Sequence, residues 1–291
     1  MVGLVAAVVV CRPEPRPALP RRLDLSGLIG TSLAVTAIMV GTGELTSTAP
    51  RPTVLAGTAV AAVLAGAWTV RHLRRVDDPL LDLSALRHHS FASVLSYGSV
   101  YRAVISAVPF LLPIMFQVRF GWSPTAAGAM VAALFVGNLM IKPFTTGLMR
   151  RLGIRRVLVC DTALSVLAFG ALACLGASTA SWIIAGLLVV SGALRSIGFT
   201  AYNTLAFADV SGTELPHANA LHAAAQELAA AVGIAGAAVA VTIGTRYGAD
   251  VLPAGPYGLA FVVLGVCTLL LLVGALRLAA TAGDPAVGRD Q

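Results

Sequence analysis

The residues that could do chemistry inside an apolar environment are few in this sequence, and they fall in separate apolar segments. Arg102, Arg195 and Glu227 each lie nine residues inside such a segment, counted from the arginine-rich side. At a rise of about 1.5 Å per helical residue, all three reach a depth of roughly 14 Å. A charge at the bilayer centre costs about 2.5–3.5 kcal/mol on insertion scales, so such residues usually face a cavity or a partner.

Uncharged polar residues lie on the same segments as these charges, and Asn138 lies on one further segment, the fourth span. We therefore expect a central cavity lined by the third, fourth, sixth and seventh spans, and the alternative is an internal ion pair that only fixes helix packing. Because arginine keeps its charge at any usable pH, Glu227 is the one group at this depth that could exchange a proton. Asp161 lies near the arginine-rich end of the fifth span and could pair with the arginines beside it. The candidate cavity or coupling residues are Arg102, Asn138, Lys142, Arg195, Asn203, Gln226 and Glu227.

The sequence lacks the residue patterns that metal binding, disulfide formation, enzymatic catalysis or nucleic-acid binding would need. The four cysteines are far apart and the spans contain no paired His ligands or HExxH pattern, so we expect no metal, no cofactor and no disulfide framework. Three of these cysteines fall in apolar blocks, where burial as small hydrophobes is the simplest interpretation. The spans contain no Ser/His/Asp set, which argues against an enzyme. The basic residues form no patterned helix face with aromatic neighbours, which argues against a nucleic-acid partner.

The elements that must hold these residues follow from composition. The chain of 291 residues is 57% hydrophobic and 11% charged, whereas soluble domains are about one-quarter charged. Eight apolar blocks are close to the roughly 20 residues that cross a bilayer, and each must be helical because lipid offers the backbone no partner. The predicted fold is an all-α, polytopic membrane helix bundle. Its spans are 26–47, 53–70, 93–117, 125–147, 157–177, 181–204, 218–243 and 256–277.

The arginines between these blocks predict the orientation. Fourteen lie in one set of connections and tails and only three in the other, which places the first set, with the C-terminus, in the cytoplasm. We expect the following organisation: 1–11 as the end of a truncated transmembrane helix, 12–25 as a cytoplasmic loop, 26–70 as a two-helix unit, 71–92 as a cytoplasmic linker, 93–278 as a six-helix bundle and 279–291 as a cytoplasmic tail.

Several segments carry further expectations. The second span carries no acidic or basic residue from Thr53 to Val70, and the eighth carries none between Pro256 and Leu276, so both are expected to face lipid. Pro109 and Pro113 should kink or loosen the third span, and Gly233 and Gly236 should allow close helix approach. The basic turn 147–156 is interpreted either as positive-inside anchoring or as a conformational latch. The latch candidates are Gly147, Arg150, Arg151, Gly153, Arg155 and Arg156.

This turn resembles the major facilitator superfamily, which carries a glycine, an acidic residue and then Arg-x-Gly-Arg-Arg between two of its helices, with a weaker second copy. Arg151, Gly153, Arg155 and Arg156 match the weaker copy, whereas Arg150 occupies the acidic position and departs from the pattern. The resemblance implies the fold of the C-terminal six-helix half, joined to a two-helix insert.

More specifically, the chain resembles the fourteen-span drug:proton antiporters of the EmrB/QacA type. Their two extra helices match 26–70. The similarity implies a cell-membrane exporter of small hydrophobic or cationic compounds that uses proton antiport and alternating access, with lipid, small molecules, protons and a missing N-terminal half as partners. The alternative is a truncated non-transporting remnant, or a half-transporter that needs a partner half. The other matching stretches are 79–83, Arg102 with 109–113, 121–124, 142–146, 195–196, 203–205 and 219–226.

Overall fold

A computed structural model describes residues 24–47, 49–76, 81, 83–210, 214–248 and 252–278 of the chain. Within these ranges the fold contains no strand, and eight helices are long and apolar enough to cross a membrane, so the prediction of an all-α, multi-pass membrane protein is confirmed. The predicted helix end at 1–11, most of the 12–25 loop, most of 79–83 and the 279–291 tail lie outside the described residues. The helices are α1 (Leu25–Thr46), α2 (Pro52–Leu73), α3 (Phe91–Arg119), α4 (Pro124–Leu152), α5 (Ile154–Ala173), α6 (Ser181–Ala206), α7 (Leu215–Arg246) and α8 (Pro256–Arg277).

The connection between α4 and α5 differs from the expected turn. α4 continues through Gly147, Arg150 and Arg151 to Leu152, and α5 begins at Ile154. Only Gly153 separates the two helices, and its φ of 83° is one that glycine adopts at little cost. The prediction was wrong here because the arginines mark where the apolar surface ends. Arginine is itself a good helix former, so the helix does not end with that surface.

α3 continues through Pro109 and Pro113 and widens after the second of them. Pro113 supplies no backbone N–H, and the π turn Met115–Arg119 begins two residues after it. The Gln117 side-chain amide donates to the Pro113 carbonyl oxygen at 3.0 Å. A second π turn spans Val94–Gly98 at the other end of α3.

Three helix pairs form the bundle: α4 with α6, α3 with α7, and α5 with α8. Glycines set the first two contacts. A Cβ on Gly137 would overlap the Val189 carbonyl group, one on Gly192 would overlap the Leu134 oxygen, and one on Gly233 would overlap the Ala103 oxygen. Gly236, by contrast, has open space around it, so its predicted role in close approach is wrong.

The α1–α2 hairpin is held at both ends. His72 Nε2 lies 2.8 Å from Asp24 Oδ1 at one end, and the Arg51 guanidinium lies 3.1 Å from Glu44 Oε1 at the other. α1 packs against α7, whereas α2 presents most of its side chains outward.

Two expectations about exposure need correction. α8 is not simply lipid-facing, because one of its faces is buried, and the absence of charge does not distinguish a lipid-facing helix from a core helix. The interpretation of the cysteines as buried is also wrong for Cys160 and Cys174, which are exposed, since an apolar helix keeps one side toward lipid. The buried face of α8 includes Tyr257, Phe261, Leu264, Thr268 and Leu271.

Candidate functional site: a polar cavity between α3, α4 and α6

α6 carries a stripe of polar and aromatic residues along one side. Its members recur every four residues and therefore lie above one another on the helix. The opposite side of α6 is buried in the bundle through residues such as Leu194, Tyr202 and Leu205. The Thr200 and Thr204 hydroxyls donate to carbonyl oxygens one turn earlier, at 2.8 and 2.9 Å, so their oxygens are left as acceptors. The stripe consists of Arg195, Ser196, Phe199, Thr200, Asn203 and Thr204.

This stripe forms one wall of a cavity of about 460 Å³, within the size range of small-molecule sites. Five of the seven candidate residues lie on its wall. Residues of α7 do not line it, so the expected four-helix lining is wrong. The complete lining is Arg102 and Ile105 of α3, Asn138 and Lys142 of α4, the α6 stripe, and Phe207 just after α6.

Arg102 connects the cavity to α7. Its Nη2 lies 3.4 Å from Glu227 Oε1. The Glu227 side chain is 79% exposed and that of Arg102 is 21% exposed, so the pair sits at the rim of the cavity. The Arg102 guanidinium carbon also lies 5.3 Å from the centre of the Phe199 ring.

Arg195 lies deeper in the cavity wall. Its Nη1 is buried and has no hydrogen-bond partner among the described residues. Its guanidinium carbon lies 5.7 Å from the Phe135 ring centre, a distance at which a cation and an aromatic face attract. Lys142, by comparison, is exposed on α4.

α7 contributes to the site by supporting it. His222 Nε2 lies 2.7 Å from Asn203 Oδ1 and so links α7 to the cavity wall. Gln226 is buried, at 8% exposure, and its Oε1 has no partner among the described residues. The prediction that Gln226 lines the cavity is wrong because neighbouring helical residues point about 100° apart. When Glu227 points outward, Gln226 points into the bundle.

The carboxyl group of Asp161 has a different environment from the expected one. It is 2% exposed, and Oδ2 accepts a hydrogen bond of 3.0 Å from the Tyr101 hydroxyl, so the expected pairing with the neighbouring arginines is wrong. Gly198 packs against both groups. Sequence reasoning missed this cluster, although Ser165, one turn after Asp161 in an apolar helix, signalled an inward polar face.

A second, much smaller space lies beside this cluster. Its volume of about 20 Å³ suits one water molecule, and several hydroxyl groups surround it. Arg195 borders both this space and the larger cavity. The polar groups on its wall are Tyr101, Ser165, Ser191, Arg195 and Thr268.

The latch candidates lie at the joint between α4 and α5, away from the cavity wall. Arg155 Nη2 donates to the Leu276 carbonyl oxygen at 2.8 Å and so caps the last turn of α8, where a cation also complements the helix dipole. Gly147, Arg150, Arg151 and Arg156 are exposed.

Comparison with known proteins gives one family match and several relatives. The model of the "Major Facilitator Superfamily" matches residues 90–289. The "Putative multidrug resistance protein MdtD" of Citrobacter koseri is 28% identical over 239 residues, which is 80% of this chain and 50% of that protein. The proteins of the same name from Pectobacterium carotovorum and Escherichia fergusonii are 26% and 27% identical, with the same shares covered. The chain thus spans about half the length of the curated relatives that it matches.

Proposed function

Because this chain belongs to the major facilitator superfamily, we propose that it is the C-terminal portion of an efflux transporter in the cell membrane, with its C-terminus in the cytoplasm. The observation that carries the proposal is the cavity of about 460 Å³, whose polar and charged wall is built by three membrane-spanning helices. The family match covers the helices of that wall. The names of the relatives, which describe putative multidrug resistance, support export of small molecules.

The proposed mechanism is alternating access. In such transporters, two helical halves rock around a substrate site at their interface near the bilayer midplane. Arg102, Lys142, Arg195 and Asn203 would contact the substrate from this half. The residues around Gly153 would act as a latch that stabilises one of the two conformations through the Arg155 bond to α8.

Proton antiport is the proposed source of energy, as in the fourteen-span EmrB/QacA-type antiporters. Glu227 is the candidate coupling group because it is exposed and touches a cavity arginine at 3.4 Å. Proton uptake by Glu227 would break this ion pair and free Arg102. Proton exchange would thus be linked to a change in the charge at the rim.

The resemblance favours small hydrophobic or cationic compounds as substrates. The apolar side chains of Ile105, Phe199 and Phe207 suit the hydrophobic part of such a molecule. A half-transporter that works only with a partner half is the second candidate, since alternating access rocks two helical halves around a site at their interface.

Transport can be tested in everted membrane vesicles with an acidified lumen. Addition of a transported dye should release lumenal protons, which a pH-sensitive fluorophore reports. Glu227→Gln should abolish this release, and Arg195→Ala should reduce it. Glu44→Gln, which removes a carboxylate of the α1–α2 hairpin, is the control and should leave it unchanged.

The outcomes separate the candidates. If Glu227→Gln and Arg195→Ala both leave proton-coupled efflux unchanged, the cavity assignment is wrong. Proton release only upon co-expression with an N-terminal half would select the half-transporter.

A further inference from the structure

The charges on the cavity wall are all of one sign. Arg102, Lys142 and Arg195 line it, and none of the described lining residues is an aspartate or glutamate. In the part of the chain that the structure describes, the carboxylate in contact with this set is that of Glu227, which lies at the rim and pairs with Arg102. One carboxylate cannot balance three cations, so the wall keeps an excess of positive charge.

Arg195 is the part of this wall that most needs a ligand. Arginine stays charged in proteins, so the guanidinium cannot become neutral when it is buried. A buried donor without a partner is costly, and more so when it is charged. The nearby carboxyl of Asp161 makes no ion pair with Arg195 among the described contacts and instead accepts from Tyr101. Nη1 of Arg195 is therefore an unused donor at a cavity wall.

The remaining wall supplies the other features of an amphipathic site. Asn138 and Asn203 provide amide groups, and Ile105, Phe199 and Phe207 provide apolar surface. A guanidinium is well suited to a planar oxyanion because its N–H groups match two oxygen atoms. Lys142 adds a second, more mobile charge at the open side.

We infer that this cavity binds small organic anions, with a carboxylate or similar oxyanion held by Arg195 and Lys142 and an apolar body packed on Phe199 and Phe207. The inference rests on the transport function proposed above and replaces the cationic substrates implied by family resemblance with anionic ones. A cation would meet repulsion from unpaired arginine and lysine side chains in the same space. The sign of the charge thus selects the substrate class.

Binding to the full chain in nanodiscs of zwitterionic lipid tests this inference without requiring transport. Fluorescein and rhodamine 123 share a xanthene skeleton but differ in charge, and equilibrium dialysis measures the Kd of each. We expect fluorescein to bind more tightly. Its affinity should also fall as the salt concentration rises, because salt screens the exposed part of the site.

Variants assign the binding to the cavity. Arg195→Gln should weaken fluorescein binding by about tenfold or more, since it removes a charged hydrogen bond. Lys142→Gln, at an exposed position that tolerates change, should weaken it by about two- to fivefold, and Lys142→Glu should shift the preference toward rhodamine 123. Arg71→Gln removes an equal charge at an exposed position of α2, outside the cavity, and should have no effect. Unchanged helical circular dichroism shows that each variant is folded.

Each result has a defined meaning. Rhodamine 123 binding as tight as that of fluorescein, absence of saturable fluorescein binding, or equal affinities for Arg195→Gln and wild type would each overturn the inference. Fluorescein binding that depends on Arg195, without efflux in the vesicle assay, would overturn the proposed transport function but leave the anion site standing. Efflux of rhodamine 123 and not of fluorescein would support the proposed transport function but overturn the inferred anion site.

Discussion

Tyr101 and Asp161 join α3 to α5 through one buried hydrogen bond of 3.0 Å. The second carboxyl oxygen of Asp161 has no partner among the described residues. A buried carboxyl group is costly unless it is hydrogen-bonded, so the Tyr101 hydroxyl has more influence here than a typical surface hydroxyl. Tyr101 also lines the small space that Arg195 borders.

Tyr101→Phe should therefore destabilise the protein by about 1–3 kcal/mol, the usual cost of leaving a buried polar group unsatisfied. Thermal unfolding in detergent measures the change as a lower Tm. Tyr97→Phe, at an exposed position of the same helix, is the matched control and should have little effect. In an Asp161→Leu background the Tyr101→Phe penalty should shrink. An equal loss in both backgrounds would show that the Tyr101 hydroxyl does not act through Asp161, and would leave its 3.3 Å bond to the Leu194 carbonyl oxygen as the cause.

At this scale the sequence predicted residue types better than partners. The apolar surroundings of Arg102, Arg195 and Glu227 were sufficient to mark them, because charges are rare in such segments. The partner of Asp161 is Tyr101, which lies 60 positions away on another helix, and no sequence pattern links the two residues. Nothing local distinguishes Gln226 from Glu227 either, since their directions depend on how α7 is rotated against α3. The functional roles of all these residues stay predictions.

Among the helices, the contact between α4 and α6 decides how the cavity wall is placed. Gly137 and Gly192 allow the two backbones to meet, and a side chain at either position would overlap a backbone oxygen of the other helix. Backbone cannot move aside as a flexible side chain can. The distance between Lys142 on α4 and Arg195 on α6 therefore depends on these two glycines.

Gly137→Ala and Gly192→Ala should each cost about 1–3 kcal/mol, as expected for overpacking, and should weaken fluorescein binding. Gly128→Ala on α4 and Gly186→Ala on α6 meet open space and provide matched controls. The controls should be neutral or slightly stabilising, because alanine favours helix. Melting temperature and dye affinity would be measured for all four. Similar losses for controls and test variants would refute the close-contact argument.

Arg155 gives a second prediction for the helices. Arg155→Gln should remove the bond to the Leu276 carbonyl and speed amide hydrogen exchange in the last turn of α8, with a cost of about 0.3–1 kcal/mol. Arg156→Gln, at the exposed neighbouring position, should leave that exchange unchanged. Equal exchange in the two variants would mean that the cap contributes nothing.

Helix number and order were predictable from the sequence, whereas several helix ends were not. α8 ends at Arg277, the last residue of its predicted span, so here the end of the helix coincides with the end of the apolar block. α4 runs five residues past its predicted end, since hydropathy reports where water begins and not where the backbone stops being helical. Packing between helices was outside the reach of hydropathy altogether. That is why the buried face of α8 was missed.

The whole molecule has a strong asymmetry of charge between its two ends. The arginine-rich end includes the joint of α4 and α5 and the end of α8, and the positive-inside rule predicts that it lies in the cytoplasm. Green fluorescent protein fused after Gln291 should therefore fluoresce. Alkaline phosphatase inserted at Ser178, between α5 and α6, should be active because that enzyme needs the outside compartment. Inactive phosphatase at Ser178 and active phosphatase after Gln291 would contradict the orientation.

The single glycine between α4 and α5 has a mechanical consequence for the molecule. The φ and ψ angles of Gly153 are the only non-helical backbone torsions between α4, which carries Lys142, and α5. If α4 moves by more than these two torsion angles can absorb, α5 must move with it. The bond from Arg155 to the Leu276 carbonyl oxygen would then carry the movement to the end of α8. Closure of the cavity would then be a coupled movement of α4, α5 and α8, and not the bending of α4 alone.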